Sequence, residues 1–297
     1  MYIKKSLFYI LTILILDVRE IKASRFIINS LMLREREIIN SFGSILKSNP
    51  RNFSTSHVGK NDLEIKNNYS SQKKITQALI IGGGQAGLAV GYFLKRYKIE
   101  YTILDSEKEP GGAWQHGWDS LHLFSPAKWS SLPGWPMPPS DDGYPSKAHV
   151  INYLTEYEKK YDIPVYRPVK VLSMRKEKEN FVASTDKEEW ESQVVVSATG
   201  KWSLPFIPEY PGREIYRGKH IHSAYYQNAD PFRGQRVLIV GGGNSGAQIL
   251  AEVSKVAKTM WVTLKDPLFL PDEVDGRVLF ERATERWKAL QEGRTIE

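Results

Sequence analysis

Two glycine fingerprints of one kind lie about 160 residues apart in this chain, and they constrain the fold more than any other feature. The first reads Gly82-Gly83-Gly84-Gln85-Ala86-Gly87 and the second Gly241-Gly242-Gly243-Asn244-Ser245-Gly246. Each follows a short apolar run (Gln77 to Ile81; Arg236 to Val240) and opens a helix-like one (Leu88 to Arg96; Ala247 to Ala257). In such a turn the first glycine makes the tight bend. The second lets backbone approach a pyrophosphate, and the third permits close strand–helix packing. The pyrophosphate rests on the helix N-terminus, where unpaired N–H groups and the dipole favour an anion. One copy is weak evidence, since glycine-rich turns are common. Two copies, each between strand and helix, imply two dinucleotides and electron transfer between a flavin and a nicotinamide.

The end of the second strand in each unit discriminates between coenzymes. In the first unit, Tyr101-Thr102-Ile103-Leu104 ends in Asp105, 18 residues after Gly87. An acid there accepts hydrogen bonds from a ribose 2′-hydroxyl, although a solvated acid at a strand end is the plain alternative. In the second unit, Met260-Trp261-Val262-Thr263-Leu264 ends in Lys265. A cation suits a 2′-phosphate and points to NADPH over NADH, and the adjacent Asp266 works against that reading.

Composition excludes one class and redirects another argument. The chain has no cysteine, so it lacks the redox pair that flavoprotein disulfide reductases use, and thiolate metal sites are excluded too. Residues 1–77 carry 13 Lys+Arg against 6 Asp+Glu, while residues 78–297 carry 28 of each. The net charge of +7 therefore belongs to the leader, and the high isoelectric point is no argument for nucleic-acid binding. No histidine cluster has metal-ligand spacing, and no metal is expected.

The leader has three readings. Lys4 and Lys5 before the apolar run Leu7 to Leu16 resemble a secretory signal, too short to span a membrane comfortably. Arg25, Arg34, Arg36 and Lys47 interleaved with apolar positions read as a basic amphipathic helix, and Arg51 to Ser56 resembles a mitochondrial cleavage region. Glu35 and Glu37 count against the second. An unstructured extension on a cytoplasmic protein, with no address and no firm membrane role, is the third.

The expected organisation is α/β: two Rossmann-like dinucleotide-binding units with an inserted β-meander. Residues 1–75 form a largely disordered leader and linker, 76–230 a flavin domain with a crossover, and 231–297 an incomplete NADPH domain. Ser146 to Tyr161 has helical periodicity, Lys170 to Met174 and Phe181 to Thr185 read as meander strands, and Val194 to Val196 is a buried strand. The long Trp-, Pro- and Ser-rich loop from Gln115 to Pro145 is of a length usually reserved for function.

Further motifs carry a resemblance. Tyr216-x-Gly218-x-x-x-His222-x-x-x-Tyr226 resembles the FxGxxxHxxx(Y/F) motif of flavin-dependent monooxygenases. Gly111-Gly112-Ala113-Trp114 is similar to their GGxW turn, and Ala198-Thr199-Gly200 to their ATG turn. Gly241 to Ala251, with Phe269-Leu270-Pro271-Asp272, resembles a small bacterial-type branch associated with arsenic resistance and cation efflux; plant indole-pyruvate monooxygenases are more distant. The resemblance spans roughly residues 76–297. It implies FAD on Gly82, Gly84, Gln85, Ala86, Gly87, Asp105, Gly112, Trp114, Ala198, Thr199 and Gly200. It also implies NADPH on Gly241, Gly243, Asn244, Ser245, Gly246 and Lys265, with His222 and Tyr226 beside it. Where animal and fungal enzymes have an asparagine near the flavin, this chain reads Leu123-Phe124-Ser125-Pro126, which leaves Ser125 for that role or none.

The implied chemistry is reduction of FAD by NADPH, reaction with dioxygen to a C4a-hydroperoxyflavin, and oxygen transfer to a small soft nucleophile, sulfur or nitrogen. The cofactor carries the reactivity, so no catalytic acid or base is assigned. Tyr226 stands where Baeyer–Villiger relatives have Trp, which favours heteroatom oxygenation. Two alternatives stay open: an NAD(P)H-dependent flavin oxidoreductase or oxidase without oxygenation, and an inactive nucleotide-binding remnant. The last follows from the chain's stop at Glu297, before the segment that closes the flavin domain in relatives, which suggests truncation.

Overall fold

The computed structural model describes residues 73–141, 143–271 and 274–294, with three short strands nearer the N-terminus. The first unit is built on strand β1 (Lys74–Ile81), helix α1 (Gln85–Arg96) and strand β2 (Tyr101–Leu104). Helix α2 (Lys147–Lys160) crosses to strand β3 (Val165–Tyr166). The meander β4 (Val171–Glu177), β5 (Asn180–Thr185) and β6 (Glu189–Ser197) then leads back into the same sheet. The order β6-β1-β2-β3 is parallel throughout, and β4 and β5 pair antiparallel beyond one part of β6.

Parallel strands covered on both faces are apolar at nearly every position. Ala78, Leu79 and Ile80 of β1 have no exposure. Ala78 and Ile80 face the core formed with α1 and α2, against Leu88, Val150 and Leu154. Leu79 faces the other side, against Phe181, Ala183 and Trp190 of the meander. Ser146 caps α2, its side chain accepting from the His149 N–H at 3.2 Å.

The second unit has strand β7 (Arg236–Val240), helix α3 (Asn244–Val253) and strand β8 (Lys258–Val262), with β7 and β8 parallel. A short strand β9 (Phe269–Leu270) and helix α4 (Arg277–Gln291) follow. One face of this unit packs: Val237, Ile239, Val253 and Trp261 cluster with Trp118 and Tyr226. The opposite face, with Leu238, Val240, Met260 and Val262, is exposed.

The two-unit α/β architecture with an inserted meander matches the reading from the sequence. Several boundaries differ. β8 lies two residues earlier than the run Met260 to Leu264, so Lys265 falls in the loop beyond it. β6 extends well before Val194, because its first half pairs with β5.

Two described segments of the leader are strands, where the sequence reads as disordered or, from residue 25, as a helix. Leu11–Leu16 and Arg25–Ile28 are strands, and Leu14 to Leu16 pair antiparallel with Val195 to Ser197 along the half of β6 that β5 leaves open. An unpaired strand edge is a row of unsatisfied N–H and C=O groups, and Ile-rich segments suit pairing there. Residues 29–47, the basic positions that suggested a helix, and the cleavage-like stretch 51–56 lie outside the described residues.

Candidate functional site

The carboxyl ends of β6, β1 and β2 meet at one edge of the first sheet, where the strand order switches direction. In open α/β sheets this is the crevice that takes ligands. The backbone is tightly knit there. The Gly82 N–H donates to the Leu104 carbonyl at 2.8 Å, and the Ala198 N–H to the Ile81 carbonyl at 2.8 Å. Gly82 has φ +106°, and a Cβ on it would stand 2.4 Å from the Ala198 oxygen. The ATG turn thus packs directly on the glycine turn, and both need small residues. A Cβ on Gly87 would strike the carbonyl oxygen of Gly82 itself. The first and third glycines are therefore packing glycines.

Gly84 is different. A Cβ there would meet only the Gly112 Cα, at 3.9 Å, so the space in front of it is open. Gly84 is also the N-cap of α1, in extended conformation, with no side chain capping the helix and no acid in its first turn. The first N–H groups, those of Gln85 and Ala86 among them, have no side-chain anion of their own. An open cradle before an uncapped helix N-terminus fits a diphosphate.

The GGxW turn closes over this cradle. Gly111 is left-handed at φ +118°, and Trp114 Nε1 approaches Gln85 Oε1 at 3.4 Å. Ser125 is buried at 1% exposure in the long loop, while Thr199 and Gly200 are exposed at the end of the ATG turn.

Asp105 sits at the end of β2, as expected, and is 4% exposed. It has a partner that sequence reasoning missed. Arg167 Nε donates to Asp105 Oδ2 at 2.9 Å, and its two Nη atoms donate to the two oxygens of Glu158 at 2.7 and 2.8 Å. Burial works against the Arg167 charge. Glu158 and Asp105 outweigh it and hold the guanidinium above its ordinary range. No spacing rule joins positions 105, 158 and 167, which come from three different elements.

The second turn repeats the geometry of the first. Gly241 has φ +117°, and its N–H donates to the Val262 carbonyl at 2.9 Å. Gly243 is an extended N-cap of α3 with no side-chain cap, no first-turn acid and nothing within 4 Å of an added Cβ. Asn244 and Ser245 start the helix, and a Cβ on Gly246 would stand 2.7 Å from the Gly241 oxygen. Lys265 is exposed, and its carbonyl accepts from Thr263 Oγ1 at 2.7 Å.

The linker motif locks the two units together. Tyr226 is buried, donates to Glu252 of α3 at 2.5 Å and packs edge-on against Trp118 of the long loop. Burial, reinforced by Glu252, pushes its hydroxyl pKa up. Trp118 of the long loop is buried in this inter-unit cluster. His222 caps a turn, its Nδ1 accepting from the Ala224 N–H at 3.1 Å. Among the described residues no group of three or more His, Asp or Glu side chains is placed to hold a metal, and no helix is long and apolar enough to cross a membrane.

Two strand–glycine–helix turns, each with an open cradle, define an α/β protein built to hold two dinucleotides. Comparison with known proteins places it further. Residues 79–278 match the family model described as pyridine nucleotide-disulphide oxidoreductase, and the chain belongs to that family, in the flavin-containing monooxygenase superfamily. It is similar to the structure of a flavin-containing monooxygenase from Stenotrophomonas maltophilia: 54% identity, TM-score 0.69, covering 70% of this chain and 64% of that one. It is 37% identical over 202 residues to the uncharacterized oxidoreductase CzcO of Bacillus subtilis, covering 68% of this chain and 59% of that protein. It is 29% identical to the indole-3-pyruvate monooxygenase YUCCA4 of Oryza sativa, covering 72% of this chain and 54% of that protein. The chain thus spans just over half the length of the curated relatives it matches. The higher identity to the bacterial protein agrees with the branch read from the motifs.

Proposed function

We propose that the chain belongs to an FAD- and NADPH-dependent monooxygenase that transfers one oxygen atom from dioxygen to a small soft nucleophile, sulfur or nitrogen. The observation that carries this is the open Gly84 cradle under the GGxW and ATG turns, paired with a second open cradle at Gly243 in one chain. The likeness to a flavin-containing monooxygenase supports it. The proposed division is 76–230 for the flavin and 231–297 for the nicotinamide coenzyme.

Bound FAD would supply the activation of dioxygen, with electrons from NADPH. The residues do the rest. Gln85 and Ala86 present N–H groups to the flavin's diphosphate, with Gly84 leaving room. Asp105 accepts from the adenosine ribose, and Trp114, Ser125, Ala198, Thr199 and Gly200 surround the cofactor. Gly241, Gly243, Asn244, Ser245 and Gly246 repeat the diphosphate contact for NADPH, and Lys265 meets its 2′-phosphate. His222 and Tyr226 hold the linker against that unit.

The test is direct. The purified chain should carry a flavin absorption spectrum, oxidise NADPH faster than NADH, and convert a thioether or amine to its oxide in proportion to NADPH consumed. Hydrogen peroxide in full proportion, with no oxide, would replace the monooxygenase reading by that of an oxidase. Absence of both flavin and NADPH oxidation would leave only a nucleotide-binding fold.

A further inference from the structure

We propose that Arg167 is a positioning residue for the adenosine ribose of the first unit: it holds one oxygen of Asp105 so that the other is presented to the ribose 2′-hydroxyl. This rests on the reading of that unit as an FAD site.

The guanidinium lies on the turn itself. A Cβ on Gly83 would stand 2.8 Å from Arg167 Nη2 and 2.6 Å from Asp105 Oδ2, so the pair covers the middle glycine closely. The side chains of Arg167 and Asp105 are 9% and 6% exposed, and that of Glu158 is 16% exposed. The fork of Arg167 is matched in two-point fashion by Glu158 alone. Asp105 is thus a second carboxylate around one cation, and the cluster keeps a net negative charge in a nearly dry place. Burying a charge without need is costly, and a spare acceptor beside a nucleotide cradle answers that need.

The backbone aims the carboxylate as firmly as the side chain does. The Asp105 N–H donates to the Tyr166 carbonyl at 3.0 Å, and the Val169 N–H donates to the Asp105 carbonyl at 2.8 Å. Asp105 is therefore clamped by the residues on either side of Arg167. Oδ2 is taken by Arg167, whereas Oδ1 meets the Glu107 N–H only at 3.4 Å. Oδ1 is the oxygen left for a hydroxyl. The negative balance also opposes a 2′-phosphate, which directs the phosphorylated coenzyme to the Lys265 unit.

The experiment is competition against bound FAD in the full chain, followed by flavin fluorescence, with ADP, 2′-deoxy-ADP and 2′-phospho-ADP as probes. ADP should displace FAD roughly tenfold better than 2′-deoxy-ADP, the worth of one hydrogen bond to a charged acceptor, and 2′-phospho-ADP should be the weakest. Arg167→Lys keeps the charge and loses the fork. It should bring the ADP to 2′-deoxy-ADP ratio close to one, with 2′-deoxy-ADP itself changed less. Glu158→Gln keeps an acceptor for Arg167 and should retain most of the preference while admitting 2′-phospho-ADP better. Equal displacement by ADP and 2′-deoxy-ADP in the unaltered chain would overturn the proposal without any variant. So would a parallel loss of both probes in Arg167→Lys, since that marks a merely structural role. If no flavin is bound and none is taken up, the FAD reading falls and this proposal with it.

Discussion

The two nucleotide units carry the same turn and live in different surroundings. Their first glycines share a left-handed conformation, φ +106° and +117°, and their helix caps are extended and open alike. The strands behind them diverge. Leu79 and Ile80 of β1 have no exposure, whereas Leu238 and Val240 of β7 are 57% and 72% exposed. β1 has neighbours on both edges and cover on both faces; β7 pairs only with β8 among the described strands, and among the described residues α3, Trp118 of the long loop and Tyr226 of the linker cover one face. The difference teaches that the fingerprint is a local device. It needs one strand, one turn and one helix, and its geometry is the same whether the strand behind it is covered on both faces or on one.

The largest expected effect tests that contrast in stability. Leu88→Ala, in the closed core of the first unit, should lower unfolding free energy by about 2–5 kcal/mol. Leu238→Ala, on the bare face of the second, should change it by no more than about 0.5 kcal/mol. Denaturant melts of the two variants give the answer, and similar losses would mean that the β7–β8 face is covered in solution.

Next come the cradles. Gly84→Val should lower flavin affinity roughly a hundredfold by filling the space where charge-assisted diphosphate bonds form, each worth about 1.5–3 kcal/mol. Gly243→Val should leave flavin content unchanged and remove NADPH binding. Flavin content and coenzyme titration of both variants measure this, and loss of flavin in both would show that the units do not bind independently.

A smaller change is expected at Lys265. Lys265→Ala should cut the preference for NADPH over NADH by roughly tenfold, one charge-assisted phosphate contact. An unchanged ratio of the two dissociation constants would move the 2′-phosphate elsewhere.

The smallest effect concerns alkaline pH and separates the units again. Tyr153 hydroxyl accepts from the Leu132 N–H and donates to the Trp135 carbonyl, both at 2.6 Å. Burial pushes its pKa up from 10.0 to about 12, and burial raises Tyr157 and Tyr101 as well. A folded pKa above the unfolded value means that the native state keeps protons the unfolded chain releases. Stability is then full below pH 10 and falls as pH rises through about 12. Equilibrium unfolding between pH 9 and 12 should show the decline, and Tyr153→Phe should flatten part of it. A stability that stays level across this range would show that these hydroxyls are not held neutral by the first core.

Much of the site is legible in the sequence because its parts are short-range. The two turns announce themselves, since the left-handed φ of Gly82 and Gly241 favours glycine and a Cβ on Gly87 or Gly246 would meet backbone oxygen. Asp105 follows from the length of a strand–helix–strand unit, and helix α2 from its apolar period and the Ser146 cap. Lys265 reads as a strand end in the sequence and lies past that end, because Thr263 and Leu264 have no pairing partner in β7 beyond Val240. Arg167 and Glu158 had no signal: a charged residue on a helix and another after a two-residue strand read as surface until the fold brings them to Asp105. The strand at Leu11–Leu16 had an apolar signal but no address, as pairing with Arg25–Ile28 on one side and with the open half of β6 on the other makes it a strand.

By itself, the sequence determined that this chain makes two dinucleotide turns, that it has no thiol chemistry, and that its basic excess lies in the leader. These depend on residue type and on spacings of a few positions, where local sterics and charge decide. The tertiary structure alone decided which glycine faces open space and which faces backbone, which oxygen of Asp105 Arg167 takes, and that Trp118 and Tyr226 join the units. Those outcomes arise from contacts between residues tens of positions apart, and such contacts exist only after burial of the apolar faces has chosen one packing among many.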